Sequence, residues 1–299
     1  MRAKTTAKPT KKPAPPKPSK PPKPPQKRAS VAPPPPKPVS LEERTALLEK
    51  RLLDTGVEFQ TYYRDNLDMS WIYHDSALEG VVYTPQELRT AIDPASAVVS
   101  DASMQPVCEE IRRHREALDY VRDLATKRRQ PITLDTVKKI YVMLHPEEGD
   151  IKVVKYRKDI PQHRLYFHEY AAPDKISHKV RQIVDWINDP ETKRTRSPVR
   201  LAARAHYDLL RVFPFPHDSG KVARLLMNLL LLRGGFPPAI IHSTERQRYY
   251  EALKGSSATM VQIVQEAIDN NLASIEKMLD ARDANREEEQ RANAARGGG

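Results

Sequence analysis

Along most of the chain after residue 40, apolar residues recur three and four positions apart, the period of helices that each bury one face. In 104–129, Val107, Ile111, Leu118, Val121 and Leu124 share a face, and the charged residues fall on the opposite side. Ser40 followed by Glu43 reads as a capping box that opens a helix carrying 44–54. A second helix includes 61–78 and stops at Gly80, and Thr133 is positioned to cap a helix over 133–145. Helical patterning returns in 176–189, 198–212, 245–255 and 258–290. Two stretches break the rule. Residues 151–159 and 164–170 alternate instead, which predicts two short strands joined as a hairpin around 160–163. Residues 221–233 are apolar on nearly every side, the mark of a helix enclosed by others, with Asp218 or Ser219 as its expected N-cap.

Composition adds a boundary. Residues 1–40 hold 14 of the 27 prolines and 11 of the 50 Lys and Arg, with no Asp or Glu. The remainder balances 39 basic against 39 acidic residues, so the formal net charge of +11 belongs to the tail. Such a segment buries too little surface to offset its ordering entropy and is expected to be disordered, with local polyproline II structure. Its charge suits non-specific, salt-sensitive binding to nucleic acid or anionic surfaces, and suits a solubilising linker or delivery segment equally well. The expected organisation is a basic Pro-rich tail over 1–40, one helical domain over 41–280 and a polar, fraying end over 281–299. No apolar run reaches the roughly 18–20 residues of a membrane span, so no transmembrane segment is expected. The single cysteine, Cys108, excludes an internal disulfide and favours a reducing compartment. The expected location is cytoplasmic, with delivery as an effector the alternative.

The chemistry concentrates where a short polar loop meets the apolar helix, in 211-RVFPFPHDSGKVARLLMNLLLLRGGFPPAII-241. Helix N-termini present unpaired N–H groups and a partial positive charge, so loops of this kind often hold phosphates. A plainer reading is a buried helix with a polar cap. The order of residues resembles the Fic (Fido) family signature HPFxDGNGRxxR. Three further segments agree with it: 71-WIYHDSALEGVVYTPQEL-88 is similar to the family's inhibitory motif [ST]xxxE[GN], 155-KYR-157 to Pro173 to its target-positioning flap, and 246-RQRYYEAL-253 to a segment lining its nucleotide pocket.

This resemblance implies an all-α Fic/Fido domain with a short β-hairpin flap. It also implies transfer of AMP from ATP to a target-protein hydroxyl, with a His as general base, an acid on Mg²⁺ and two arginines on phosphate. Aligned on Arg224, the chain departs from that pattern. Phe213 stands at the His position, His217 at the metal-binding acid, Asp218 at a Gly and Ser219 at the Asn. Lys221 replaces the first Arg, while Gly220 and Arg224 are kept. Phenylalanine cannot accept a proton, and a positioned base contributes roughly 10²–10⁴ in rate. His217 is the candidate rescue base, and His217 or Asp218 the candidate metal ligand. Glu79 is expected to pair with Arg224, either as the family's inhibitory contact or as a plain ion pair between helices, with Asp75 in place of the usual Ser or Thr. His163, His168 and His178 lack metal-site spacing, and His206 reads as a core histidine.

Two functions follow. One is a pseudoenzyme, a nucleotide-sensing or protein-binding module that offers its flap, with Lys155, Tyr156 and Arg157, to a partner by β-augmentation. The alternative is an active protein nucleotidyltransferase with an altered motif, autoinhibited by Glu79. ATP and Mg²⁺ are implied only if the pocket still works.

Overall fold

The computed structural model describes residues 39–93, 102–161 and 169–297. Eleven α-helices are found among them: α1 (Leu41–Leu53), α2 (Val57–Glu79), α3 (Pro85–Ile92), α4 (Gln105–Thr126), α5 (Leu134–Leu144), α6 (Ile176–Asn188), α7 (Pro190–Thr195), α8 (Pro198–Val212), α9 (Ser219–Arg233), α10 (Arg246–Ala252) and α11 (Ser257–Gly297). The axis of the fold is α9, which packs against α8, α4, α5 and α2. Every residue from Ser219 to Leu231 is buried. The all-round apolar pattern follows directly, since such a helix has no face for water.

The caps form as the sequence implies. Ser40 and Glu43 make the capping box of α1, and Thr133 with Thr136 makes that of α5. Helix α2 ends at Gly80, whose φ of 97° lies where a Cβ is unfavourable. Two short helices escape the periodicity. For α3 the signal was present in Thr84, Pro85 and Glu87, a second capping box with proline in the first turn. Likewise α7 begins at Pro190 behind an Asp189 cap.

Three expectations need correction. Residues 151–159 form turns and irregular backbone without a strand, and most of the second expected strand, 164–168, lies outside the described residues. The apolar positions of that alternation are explained locally: Val154 is buried in the core, while Tyr156 packs on Phe215. Second, the polar stretch beyond 280 continues α11 to Gly297. Arg51 of α1 reaches Asp280 and Asp283 at 2.8 and 2.9 Å, and Arg282 stacks over Phe59 of α2 at 5.2 Å, so that end of the helix has partners. Third, Asp218 occupies the N-cap position of α9, but its side chain makes no cap hydrogen bond. No described helix is long and apolar enough to cross a membrane.

After α9 the chain returns along the helix, held by Asn228. Its side chain accepts the Ala239 N–H at 2.8 Å and donates to the Ala239 carbonyl at 3.3 Å, with only 1% of the residue exposed. Replacing Asn228 with leucine strands both backbone groups in the core. The expected loss is about 2–4 kcal/mol of unfolding free energy in urea denaturation, roughly the cost of one or two unsatisfied buried groups. A loss below about 0.5 kcal/mol would contradict this account.

Candidate functional site

The polar loop between α8 and α9 is pinned from three sides. Phe213 and Asp218, at its two ends, both take left-handed backbone conformations, with φ of 49° and 48°. That region is tolerable for Asp and costly for Phe, so something must hold Phe213 there. Arg157 does so. Its Nε donates to the Phe213 carbonyl at 2.6 Å, Nη2 to Val212 at 3.1 Å and to Ala171 at 2.6 Å, and Nη1 to Asp159 at 2.7 Å. The Arg157 backbone N–H donates to the Pro214 carbonyl at 2.9 Å. Burial pushes the guanidinium below its ordinary pKa, and backbone carbonyls solvate it in place of water.

Aromatic packing fixes the rest of the loop. The Phe213 ring is 2% exposed and meets Tyr170 edge-on at 5.4 Å. Phe215 stacks on Tyr141 at 4.0 Å with the rings 4° from parallel. Ser219 closes the turn, its Oγ accepting from the Phe215 N–H at 2.8 Å and donating to the Phe215 carbonyl at 3.1 Å. It is therefore committed to the loop itself.

The charged residues of the motif are gathered and paired. Arg224 is 2% exposed. Its Nε donates to an Asp75 carboxylate oxygen, Nη2 to Glu79 Oε1 at 2.7 Å and to the Asp75 carbonyl at 3.1 Å, and Nη1 to Tyr249 Oη at 3.2 Å. The other Asp75 oxygen lies 3.0 Å from His114 Nε2 of α4. Burial alone would raise the Asp75 pKa, yet Arg224 and His114 overcome it and hold the carboxyl below its usual value. Glu79 lies against the first turn of α9. A Cβ added at Gly220 would come 1.9 Å from Glu79 Oε1, so only glycine lets the carboxylate seat there. Helix α10 braces this end of α2, because Arg246 Nε and the Tyr250 hydroxyl both donate to the Leu78 carbonyl, at 2.8 and 2.5 Å.

Lys221 and Asp218 form a second cluster. Lys221, 3% exposed, reaches Asp218 at 3.3 Å and Glu110 of α4 at 3.6 Å. His145, at the end of α5, bonds Asp218 through Nε2 and Glu147 through Nδ1, each at 2.9 Å. Burial opposes ionisation at Asp218, but His145 and Lys221 prevail and its pKa falls far below the usual carboxylate range. Burial likewise opposes the charged form of His145, while the two carboxylates raise its pKa above the ordinary 6.5.

The sequence-predicted residues thus divide. Asp218, Ser219, Gly220, Lys221, Arg224 and Glu79 converge on the first turns of α9. His217 does not pair with Asp218; it is exposed, with its ring 6.0 Å from that of His145, which takes the Asp218 contact instead. Of the flap residues, Lys155 is exposed, Tyr156 packs on Phe215, and Arg157 is a buried clamp that presents nothing outward. His206 is a core residue bonded to Tyr249 Oη at 2.8 Å, its pKa driven down to about 3 by burial and by Arg224. Sequence reasoning missed His145, His114, Glu110 and Tyr170. Only His145 carried a signal, as a polar residue directly after an apolar helix.

The donor set does not fit Mg²⁺ and nucleotide phosphate as it stands. The one carboxylate of the loop, Asp218, is spent on two cations, both motif cations are held by carboxylates, and Glu79 lies against Gly220.

The His145–Asp218 pair makes stability depend on pH. A raised histidine pKa stabilises fully below the ordinary value of 6.5 and fades as pH rises through the folded value; the depressed Asp218 keeps its contribution until strongly acid pH. The difference in unfolding free energy between the native protein and His145→Gln should therefore be largest at about pH 5–6 and shrink toward about pH 9. A difference independent of pH would remove the pair from the stability of the loop.

Residues 131–231 match the family model of the Fic/DOC family. Protein adenylyltransferase Fic of Nematostella vectensis is 32% identical over 184 residues, covering 61% of this chain and 42% of that protein. Protein adenylyltransferase fic-1 of Caenorhabditis elegans is 28% identical over 192 residues, covering 61% and 35%. The chain therefore spans less than half the length of these curated relatives. Among solved structures, a Fic-domain signalling protein from Bacteroides thetaiotaomicron superposes with a TM-score of 0.64 over 81% of this chain and 95% of that one, at 22% identity. Fic-1 from C. elegans superposes at 0.61 over 81% and 71%, at 24% identity. Both share the fold.

Proposed function

The chain carries a Fic domain, and on that premise we propose that it is a pseudoenzyme, a nucleotide-sensing and protein-binding module whose phosphate seat is closed by its own Glu79. The observation that carries this reading is the contact between Glu79 and the first turn of α9. Its carboxylate lies where a helix N-terminus would receive a phosphate, against Gly220 and on Arg224. Phe213 supports the same reading, because its buried ring fills the position that the family resemblance gives to a catalytic base. The partner surface is the exposed edge around the flap, where Lys155 lies between the apolar Val153 and Ile160, 62% and 60% exposed.

Calorimetric titration of ATP, GTP, CTP and UTP with Mg²⁺ tests the closed seat. Glu79→Gly should bind at least one nucleotide about tenfold or more tightly than the native protein, since it removes a competing charge from a charge-assisted site. Equal binding by the two proteins sinks the inhibitory role and leaves Glu79 as a structural ion pair.

A second reading rests on the same contact. An ion pair that links two helices can part, and the relatives named above are protein adenylyltransferases. If the chain is an autoinhibited transferase, Glu79→Gly should label a protein target with AMP and Arg224→Ala should abolish the label. His217, exposed beside the loop, would be the base in that case, and His217→Ala should also remove it. We propose separately that the basic tail binds polyanions. Deleting residues 1–38 should then abolish retention on nucleic acid at low salt, whereas unchanged retention refutes the idea.

A further inference from the structure

A second concave site lies on the far side of α8, outside the motif. It has a volume of about 600 Å³ and is lined by residues of α8 and α11 and by Trp186 of α6. That volume is within the roughly 300–1,000 Å³ of small-molecule sites. Arg200 and Arg204 stand one helical turn apart on α8, with Arg196 just ahead of the helix, and all three line the cavity. Ser257 and Gln265 of α11 face them.

The charge there is unbalanced. Arg204 is matched by Asp208 at 2.6 Å. Arg196 and Arg200 have no carboxylate within ion-pair distance among the described residues, so the cavity carries an excess of two positive charges on planar guanidinium groups. Guanidinium forks fit phosphate oxygens in pairs, and several on one wall favour a ligand bearing more than one phosphate. Trp186 supplies a different element. It is half-buried and also lines an adjoining cavity of about 390 Å³ that contains Lys179 and Arg211. An indole beside a cationic wall offers a platform for a flat ring, and the amide of Gln265 offers a donor and an acceptor to its edge. The size of the cavity points to a small molecule in place of a polymer.

We propose that this cavity is a second, non-catalytic binding site for a nucleoside polyphosphate, with the phosphates on Arg196, Arg200 and Arg204 and the base against Trp186. The proposal is independent of the Glu79 reading, because none of these residues touches Arg224, Glu79 or Gly220.

The protein itself provides the probe. It has two tryptophans, and Trp71 is 2% exposed, so a ligand-induced change in quenchable emission reports on Trp186. Full-length protein is titrated with ATP, UTP and inorganic tripolyphosphate at low salt. ATP or UTP should give a saturable change, and tripolyphosphate should bind at least about tenfold more weakly because it lacks the stacking ring. The double variant Arg200→Gln, Arg204→Gln should weaken nucleotide binding about tenfold or more. Trp186→Phe should lose the emission change yet retain calorimetric binding. Three results would overturn the site: no saturable change, nucleotide binding that survives the double substitution, or tripolyphosphate binding as tightly as nucleotide. The exposed arginines can be changed without opening the core, and circular dichroism of the double variant checks that it folds.

Discussion

The guanidinium of Arg224, shared between Asp75 and Glu79 inside the core, is the interaction on which the rest of the site depends. A charge in that position must be paired, because removing one member of a buried ion pair leaves an uncompensated charge at a cost of several kcal/mol. The pairing dictates much around it. Asp75 needs a second partner for its other oxygen and finds His114; Arg224 needs a further acceptor and finds Tyr249, which in turn holds His206. Four helices, α2, α4, α8 and α9, and the short α10 are therefore tied at one point. The same ion pairs join α2 to α9 and place the Glu79 carboxylate against Gly220, so a substitution at Glu79 or Asp75 affects both.

The loop before α9 is held by contacts within the protein. Its polar side chains have internal partners: Ser219 bonds Phe215, Lys221 bonds Asp218 and Glu110, and Asp218 bonds His145. Phe213 is packed in the core, and its unfavourable backbone angle is offset by the Arg157 clamp and by Tyr170. Helix polarity remains, and it is Glu79 that answers it.

Most of the helices were legible because they bury a single face, and the caps at Ser40 and Thr133 fixed their starts. Helix α9 was legible for the opposite reason, having no polar face. The short α3 and α7 were not, since eight and six residues give too few turns for a period to show. The false strand has a different origin: Val154 and Tyr156 point toward the core from irregular backbone, and Arg157 is buried to hold carbonyls, so alternation there records packing of a loop. At the site, the pair Glu79–Arg224 was readable from a family pattern. The contacts His145–Asp218, His114–Asp75 and Glu110–Lys221 were not, because each spans more than thirty residues of sequence.

One property of the Gly220 seat has a kinetic and thermodynamic side. Glu79 is tethered to α2, so it meets the first turn of α9 as an intramolecular ligand, at an effective concentration on the order of millimolar or above. Any external anion competing for that seat faces a rival that cannot diffuse away. Such a rival lowers the apparent affinity of a competing anion in proportion to the fraction of molecules in which the carboxylate has left, without changing the steepness of binding. The Arg246 and Tyr250 hydrogen bonds to the Leu78 carbonyl anchor the residue next to Glu79, and so belong to the same tether.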